Sequence, residues 1–562
     1  MENILRIGVT LEGIHTDLWV YNLLERIKSD KIGKLQWVLI FPEKKDTSRN
    51  TLRNLIDGIF IKILNYTEKK LYKLKNDAKS RSGINIERLG ELYPSLQFFY
   101  FTNFIPGSAE HELLKSVRTD MVLVLPGNYS LPANTFKPIF GFWKVQPVKM
   151  SGNNFLPGFY EVANHKDIIV STIYAEFPFS KGKYFRDTVT AVNPTAYSYT
   201  INNHLWKLAS DIVNALQFLK ENKEKITETG YFSSGGQSVN KTCPENSSVS
   251  FYVMKYYFRK FRSLLKKLFY FDQWVLFYSD KPWNETIKDI RNLHRILPKK
   301  DVRWADPFII EHNEKKYVFF ELYETKNQKG HISVFEYGKD GVYSKPRTVL
   351  EENYHLSYPY VFEHNGKFYM MPESAADKSL ILYESESFPD KWKPASKIFN
   401  GVEAHDSSII YYHDKFWLFT CIKGLNVKWN YDDLYLFYTD DLYNGKWVPH
   451  PLNPVVSDPR FARGGGKLFV WKDNLYRVTQ NCSCCYGYGV EIFRISNITE
   501  NEFEQKRENS ITPWKKSITG VHTFNHINNL VFMDARISRF RWGVSEIIGK
   551  EPRCEIYFRH CD

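Results

Sequence analysis

Five segments in the C-terminal half of the chain share one pattern: an apolar strand, a polar turn, then an aromatic-rich strand. They are DPFIIEHNEKKYVFFE from Asp306, YPYVFEHNGKFYMMPE from Tyr358, DSSIIYYHDKFWLFTC from Asp406, GGKLFVWKDNLYRVTQ from Gly465 and GVHTFNHINNLVFMDA from Gly520. Their second strands align on Tyr317, Tyr369, Trp417, Tyr476 and Val531, at steps of 52, 48, 59 and 55 residues. Strands and turns repeating at about 50 residues are the signature of propeller blades. One hairpin cannot bury both of its faces, so radial stacking of neighbours must complete the core. The spacing predicts a five-bladed all-β propeller over residues 271–562. Residues 274–278 are expected to close the ring by joining the last blade.

The first 220 residues read differently. Residues 4–10 and 37–41 are short apolar runs. Between them Leu18, Val20, Leu23, Leu24 and Ile27 recur at helical spacing. Strand, helix, strand is the unit of a parallel sheet with crossover helices. Further strands are expected at 121–125 and 168–173. An amphipathic helix over 205–219 would carry Leu208, Ile212, Leu216 and Leu219 on one side. The fold class is therefore multidomain: an α/β domain with an open parallel sheet, then the propeller. Gly8 and Gly13 lack the third glycine of a dinucleotide fingerprint.

Residues 221–270 connect the two. The stretch 221–250 is polar, with Gly235 and Gly236, and reads as an exposed linker. In 251–271, Met254, Phe258, Phe261, Leu265 and Leu268 recur at three and four residues. Lys255, Arg259, Lys260, Arg262, Lys266 and Lys267 fill much of the rest. Such a helix either lies in an anionic headgroup layer or docks one domain on the other with its basic face in water.

The net charge of +13 attracts anions in general and does not choose among them. With no zinc-finger spacing or RNA-binding signature beside it, no nucleic-acid partner is expected. Cys482, Cys484 and Cys485 cluster more tightly than a zinc knuckle and have no second pair, so the seven cysteines, Cys243, Cys554 and Cys561 among them, read as free thiols. The opening residues show no signal-peptide pattern and no apolar run of membrane-spanning length occurs. A cytoplasmic protein, peripheral to the inner face of a membrane if the 251–271 helix binds lipid, is expected.

In a propeller the first strand of each blade lines the central channel. Asp306, Tyr358, Asp406, Gly465 and Gly520 occupy its entrance, and Glu321, Glu373, Cys421, Gln480 and Ala535 end the second strands. Trp304, His355, His405, Arg460, Arg463 and His522 lie close by in sequence. Making or breaking a glycosidic bond needs a carboxylic acid and a second carboxylate. A third can hold up the acid's pKa by like-charge repulsion. Asp306 is assigned as base, Glu373 as acid and Asp406 as orienter or tuner. Arg463 suits a phosphate or carboxylate, and Trp304 and Tyr358 suit stacking on a sugar. Glu321, His355, His405, Arg460, Gln480 and His522 complete the expected substrate-binding set. The plainer alternative is that these groups only tie the blades together.

Two resemblances add to this reading. The opening RIGVTLEG, Trp19-Val20-Tyr21, Gly141-Phe142-Trp143 and PGFYEV at 157–162 resemble a divergent formyltransferase-like domain. The segments 141–157 and 175–182 lack the His and Asp which that chemistry requires, so a scaffold is expected. His165 and Asp167 are the alternative pair. WADPF at 304–308, HLSYPYVFEHNGKFYMMPES at 355–374, EAHDSS at 403–408, HPLNPV at 450–455, SDPRFARGGGKLF at 457–469 and the 480–489 stretch resemble the N-terminal domain of plant glucosamine inositolphosphorylceramide transferases. That domain is similar to five-bladed family-43 glycosidases, which implies an Asp base in the first blade, matched by Asp306. The Glu-then-Asp order of Glu373 and Asp406 reverses the order in those glycosidases. The resemblance also makes calcium a candidate occupant of the channel. The separate transferase module of the plant proteins is not recognised, so ceramide glycosylation is not carried over. The expected protein acts on a glycan, glycolipid or nucleotide-sugar by forming or cleaving a glycosidic bond. The alternative is a non-catalytic carbohydrate-binding scaffold.

Overall fold

The computed structural model describes residues 4–43, 52–74, 76–79, 84–100, 108–127, 138–146, 156–176, 183–223, 248–338, 342–424 and 432–541. The chain forms two compact units, one reaching Phe258 and one beginning at Arg259. Cys243, Cys554, Cys561, Gly235 and Gly236 lie outside the described residues, as does most of the expected 221–250 linker and of the 141–157 and 175–182 segments.

The N-terminal unit is built on a seven-stranded sheet. Its first five strands in spatial order, Gln97–Tyr100, Gly33–Phe41, Leu5–Glu12, Met121–Val124 and Phe142–Gln146, run parallel. The last two, Ile168–Glu176 and Lys183–Ala191, are antiparallel. The sheet is thus mostly parallel, with an antiparallel edge that the strand–helix–strand opening did not specify. The spacing of these two strands in the sequence is too short for a crossover helix between them, so they pair as antiparallel neighbours. Helix Leu18–Ser29 buries Trp19, Val20, Leu23, Leu24 and Ile27 against the sheet. Helix Tyr197–Glu221 adds Leu208, Ile212, Leu216 and Leu219 to the same core. Gly8 has a packing role, because a Cβ there would lie 2.2 Å from the Trp37 ring. His165, one of the alternative pair, is an exposed residue with positive φ just past helix Phe159–Ala163.

The second unit is a propeller of five sheets. Blade one holds Val302–His312, Lys315–Glu324, Lys329–Tyr337 and Arg347–Leu350. Blade two holds Ser357–His364, Lys367–Glu373, Ser379–Ser387 and Lys391–Asn400. Blade three begins with Ala404–Tyr412 and Lys415–Ile422, and blade four with Phe469–Trp471 and Asn474–Asn481. Blade five joins Ile518–Ile527 and Leu530–Phe540 to Tyr270–Ser279 and His294–Ile296, so the unit's first strand completes its last sheet. Four apolar cores close the ring. One links blades one, two and three, one links three to four, one links four to five, and one links five back to one.

The helix expected over 251–271 runs from Val249 to Phe269, and Tyr270 and Phe271 already belong to the closing strand. No helix among the described residues is long and apolar enough to cross a membrane.

Candidate functional site

Three inner strands break register at the same place. The shift falls between Ala305 and Phe308 in blade one, Ser357 and Tyr360 in blade two, and His405 and Ser408 in blade three. Asp306, Tyr358 and Asp406 sit in these bulges with φ of 51°, 45° and 44°. Positive φ is uncommon outside glycine and costs about 1–3 kcal/mol each. Bulges re-aim side chains and release backbone N–H groups from the ladder. Here the released groups find carboxylates on the preceding blade. Asp306 N–H donates to Asp534 Oδ2 (2.8 Å), Tyr358 N–H to Asp306 Oδ2 (3.2 Å) and Asp406 N–H to Glu373 Oε2 (3.1 Å). Blade four meets the same need with Gly464, Gly465 and Gly466. A Cβ on Gly464 would lie 2.3 Å from Asp406 O, and one on Gly466 2.2 Å from Phe524 O.

The residues before the bulges pair with the ends of the second strands: Ala305 with Glu321, Ser357 with Glu373 and His405 with Cys421. Glu321 and Glu373 therefore hold equivalent places on adjacent blades. Their surroundings differ. His405 Nδ1 lies 3.1 Å from Glu373 Oε1, and Arg463 Nη2 donates to Glu373 Oε2 at 3.4 Å. Burial alone would raise the Glu373 carboxyl, but His405 and then Arg463 outweigh it and hold the group well below the usual carboxylate range. Glu321 accepts no backbone N–H among the described residues. Its neighbour His355 sits 3.4 Å away through Nε2, and His355 Nδ1 accepts the Gly330 N–H at 2.9 Å. Burial lowers His355, so the ring is neutral and brings no charge. Burial, then the charges of Glu373, Asp534 and Asp406, push Glu321 up to about 8.

The remaining groups are more deeply buried. Arg463 Nε donates to Asp406 Oδ2 at 2.5 Å, and Gln480 Nε2 donates to the same oxygen at 2.6 Å. Burial pushes Asp406 up to about 6 against the pull of Arg463. His522 stands between Asp534 (Nδ1 to Oδ2, 2.6 Å) and Asp306 (Nε2 to Oδ1, 3.6 Å). It stacks on Trp274 with ring centroids 3.9 Å apart. Burial, then Asp534, Asp406 and Glu321, drive Asp306 well above the usual range despite His522.

The structure thus gathers Asp306, Glu321, His355, Glu373, His405, Asp406, Arg463, Gln480 and His522 into one interacting cluster. It reverses two expected charge states. Asp306, assigned as base, is held toward its protonated form, and Glu373, assigned as acid, is held ionised. One stacking assignment is also corrected. Tyr358 is fully buried, and its hydroxyl donates to Gly466 O, accepts from Gly466 N–H and pairs with Ser408. Trp304 is half-buried and packs on Phe320 and Phe335 of its own blade. Arg460 is drawn onto Asp458 by three hydrogen bonds from its guanidinium.

Asp534, Trp274, Tyr486 and Gly330 were not expected. Asp534 lies one residue before the aligned strand end Ala535, where the bulge between Val521 and Phe524 shifts the register. Tyr486 lies edge-on to His522, with the Arg463 guanidinium 5.2 Å from its ring centre. It belongs to the cysteine-rich 481–488 segment, where Cys482, Cys484 and Cys485 form no disulfide among the described residues, nor does Cys421.

Asp306, His522 and Asp534 bring one nitrogen and two carboxylate oxygens within 4.8 Å of one another. Both Asp534 oxygens already accept backbone N–H groups, from Asp306, His522 and Thr523. Calcium takes 6–8 oxygens, and this committed, nitrogen-containing set does not fit it. The chemistry of the channel is therefore derived from the protein's own groups.

The site belongs to a five-bladed propeller with a ring of carboxylates, imidazoles and one guanidinium at its axis. Residues 298–537 match the family model described as glucosamine inositolphosphorylceramide transferase 1, N-terminal. The glucosamine inositolphosphorylceramide transferase 1 of Arabidopsis thaliana is 33% identical over 205 residues, which is 36% of this chain and 26% of the plant protein. That of Oryza sativa subsp. japonica is 32% identical over 204 residues, 36% of this chain and 27% of the plant protein. The chain thus matches about a quarter of the length of these relatives. Among solved structures, a family 117 glycoside hydrolase of Zobellia galactanivorans aligns with TM-score 0.32 and 13% identity, over 48% of this chain and 90% of that one. The catalytic domain of a Coprinopsis cinerea GH62 α-L-arabinofuranosidase aligns with TM-score 0.33 and 12% identity, over 43% and 94%.

Proposed function

We propose that the propeller channel binds a sugar and forms or cleaves its glycosidic bond, with Glu321 as the acid and Glu373 as its ionised partner. The observation that carries this reading is the contrast between two glutamates at equivalent strand ends. Neighbouring groups whose environments push their pKa values apart are the mark of an acid/base pair. Glu321, at about 8, keeps its proton at neutral pH and is not spent on a backbone N–H. It can protonate a departing glycosidic oxygen. Glu373 stays charged and can stabilise an oxocarbenium-like centre or take a proton from an incoming hydroxyl. Asp306, Asp406, Arg463 and His522 position these two and set their charge.

His405 supports a ligand at this place. Its Nδ1 is engaged with Glu373, while Nε2 is buried with no hydrogen-bond partner among the described residues. Buried polar atoms are normally satisfied, and a sugar hydroxyl would satisfy this one. The relatives it matches are named glucosamine inositolphosphorylceramide transferases, and a sugar-transfer chemistry here accords with that name. The N-terminal unit, with its formyltransferase-like sequence, serves in this reading as a scaffold.

A second reading is a sugar-binding module without turnover. The saturation of Glu373 by His405, Arg463 and the Asp406 N–H favours it, because a fully paired carboxylate is a poor proton acceptor. Product analysis over a panel of nucleotide-sugars and oligosaccharides separates the two. The catalytic reading expects a product whose rate falls about 10²–10⁴-fold in Glu321→Gln, with sugar affinity retained. Unchanged turnover in that variant would overturn the assignment, and affinity without product would establish the binding module.

A further inference from the structure

The helix Val249–Phe269 buries one face and leaves another, apolar one in the open. Val249, Val253 and Tyr256 pack into a core with Leu64, Phe159 and Tyr197. Asp57 accepts the Ser250 N–H and Glu68 accepts the Tyr256 hydroxyl, which fixes that face. On the opposite side Phe251, Met254, Phe258, Phe261, Leu265 and Leu268 form a stripe at steps of three and four. Each is between 38% and 63% exposed. At 100° per residue the stripe spans about a quarter to a third of the helix circumference. Lys255, Arg259, Arg262 and Lys266, at steps of four, three and four, run along its edge, and Lys260 and Lys267 add to the charge. The helix has six cationic side chains and no acidic one. The neighbouring helix Leu52–Leu71 also exposes Leu55, Ile59, Ile63 and Tyr66.

We infer that this helix lies on an anionic lipid bilayer, its aromatic stripe among the acyl chains and its cationic edge against the headgroup phosphates. Charge complementarity selects the occupant. A second copy of this chain would bring a second set of six cations to the same face, and an apolar protein surface would offer no negative charge. A bilayer bearing negative headgroups satisfies both features at once. The exposed residues are too large and too regularly spaced to be scattered surface apolars. The inference does not depend on the chemistry of the propeller channel.

The test is co-sedimentation of the full chain with vesicles of phosphatidylcholine mixed with phosphatidylglycerol, against vesicles of phosphatidylcholine alone. The expected result is binding to the mixed vesicles only, weakened about ten-fold or more in about 0.5 M salt, where the Debye length falls to roughly 4 Å. The double substitution Phe258→Ser with Phe261→Ser should weaken binding by about ten-fold or more with an unchanged thermal melt, because both residues are exposed. Replacing Lys255, Arg259, Arg262 and Lys266 by Gln should do the same while abolishing the salt dependence. Absence of wild-type binding to the mixed vesicles would overturn the inference. So would a dimer in solution that the serine variant dissociates while vesicle binding stays unchanged.

Discussion

Glu321 and Glu373 end the second strands of adjacent blades in the same register, yet one is pushed up to about 8 and the other is held below the usual carboxylate range. The cause is what each blade supplies. Glu373 receives an imidazole, a guanidinium and a backbone N–H, whereas Glu321 receives a neutral imidazole and the repulsion of its neighbours.

This difference has a pH signature in stability. Glu321 binds its proton more tightly folded than unfolded. Its contribution is full below the unfolded value of 4.5 and is lost as pH rises through about 8. The stability of wild type relative to Glu321→Gln should therefore fall between about pH 5 and pH 9, by on the order of a few kcal/mol. Urea unfolding of both proteins at the two pH values measures it, and Asp306, which the Glu321 charge helps to raise, adds to the difference.

Gly330 controls the same carboxyl by leaving room for it. A Cβ there would lie 2.7 Å from Glu321 Oε1, His355 Cε1 and Leu356 O. The substitution Gly330→Ala is expected to displace both side chains, costing about 1–3 kcal/mol of stability and most of the activity assigned to Glu321. Thermal melts and product assays of the variant report the two effects.

Arg463 neutralises two buried carboxylates at once. Arg463→Met leaves Asp406 and Glu373 without it, and removal of one partner from a buried ion pair costs about 3–5 kcal/mol. The loss should be smaller at acidic pH, where protonation relieves the orphaned charges, and urea unfolding across pH tests both parts.

Tyr358 is predicted to matter for the ring and not for the ligand. Tyr358→Phe removes the acceptor of the Gly466 N–H and the donor to Gly466 O, which should cost about 1–3 kcal/mol. Sugar affinity should be unchanged in calorimetry on the folded variant.

The architecture was readable because strands and turns repeat at about 50 residues, as propeller blades do, and the aligned strand ends put Glu321 and Glu373 in register without coordinates. The charge states were not readable. Asp306 looked like a base from its place in WADPF, but burial holds it toward its protonated form, with His522 opposing and Asp534 adding from more than 200 residues further on. Tyr358 looked like a sugar platform because an aromatic at a channel entrance is normally exposed. The bulge turns it inward instead, onto Gly466. The antiparallel edge of the N-terminal sheet was missed because an apolar run shows that a strand is buried and says nothing about its direction.

Carboxyl carbon NMR on protein labelled at glutamate tests the central claim most directly. The resonance lost in Glu321→Gln should titrate with a midpoint near 8, and the one lost in Glu373→Gln should stay ionised well below pH 4.5. Two resonances titrating together between about pH 4 and 5, the ordinary range for glutamate, would contradict the account.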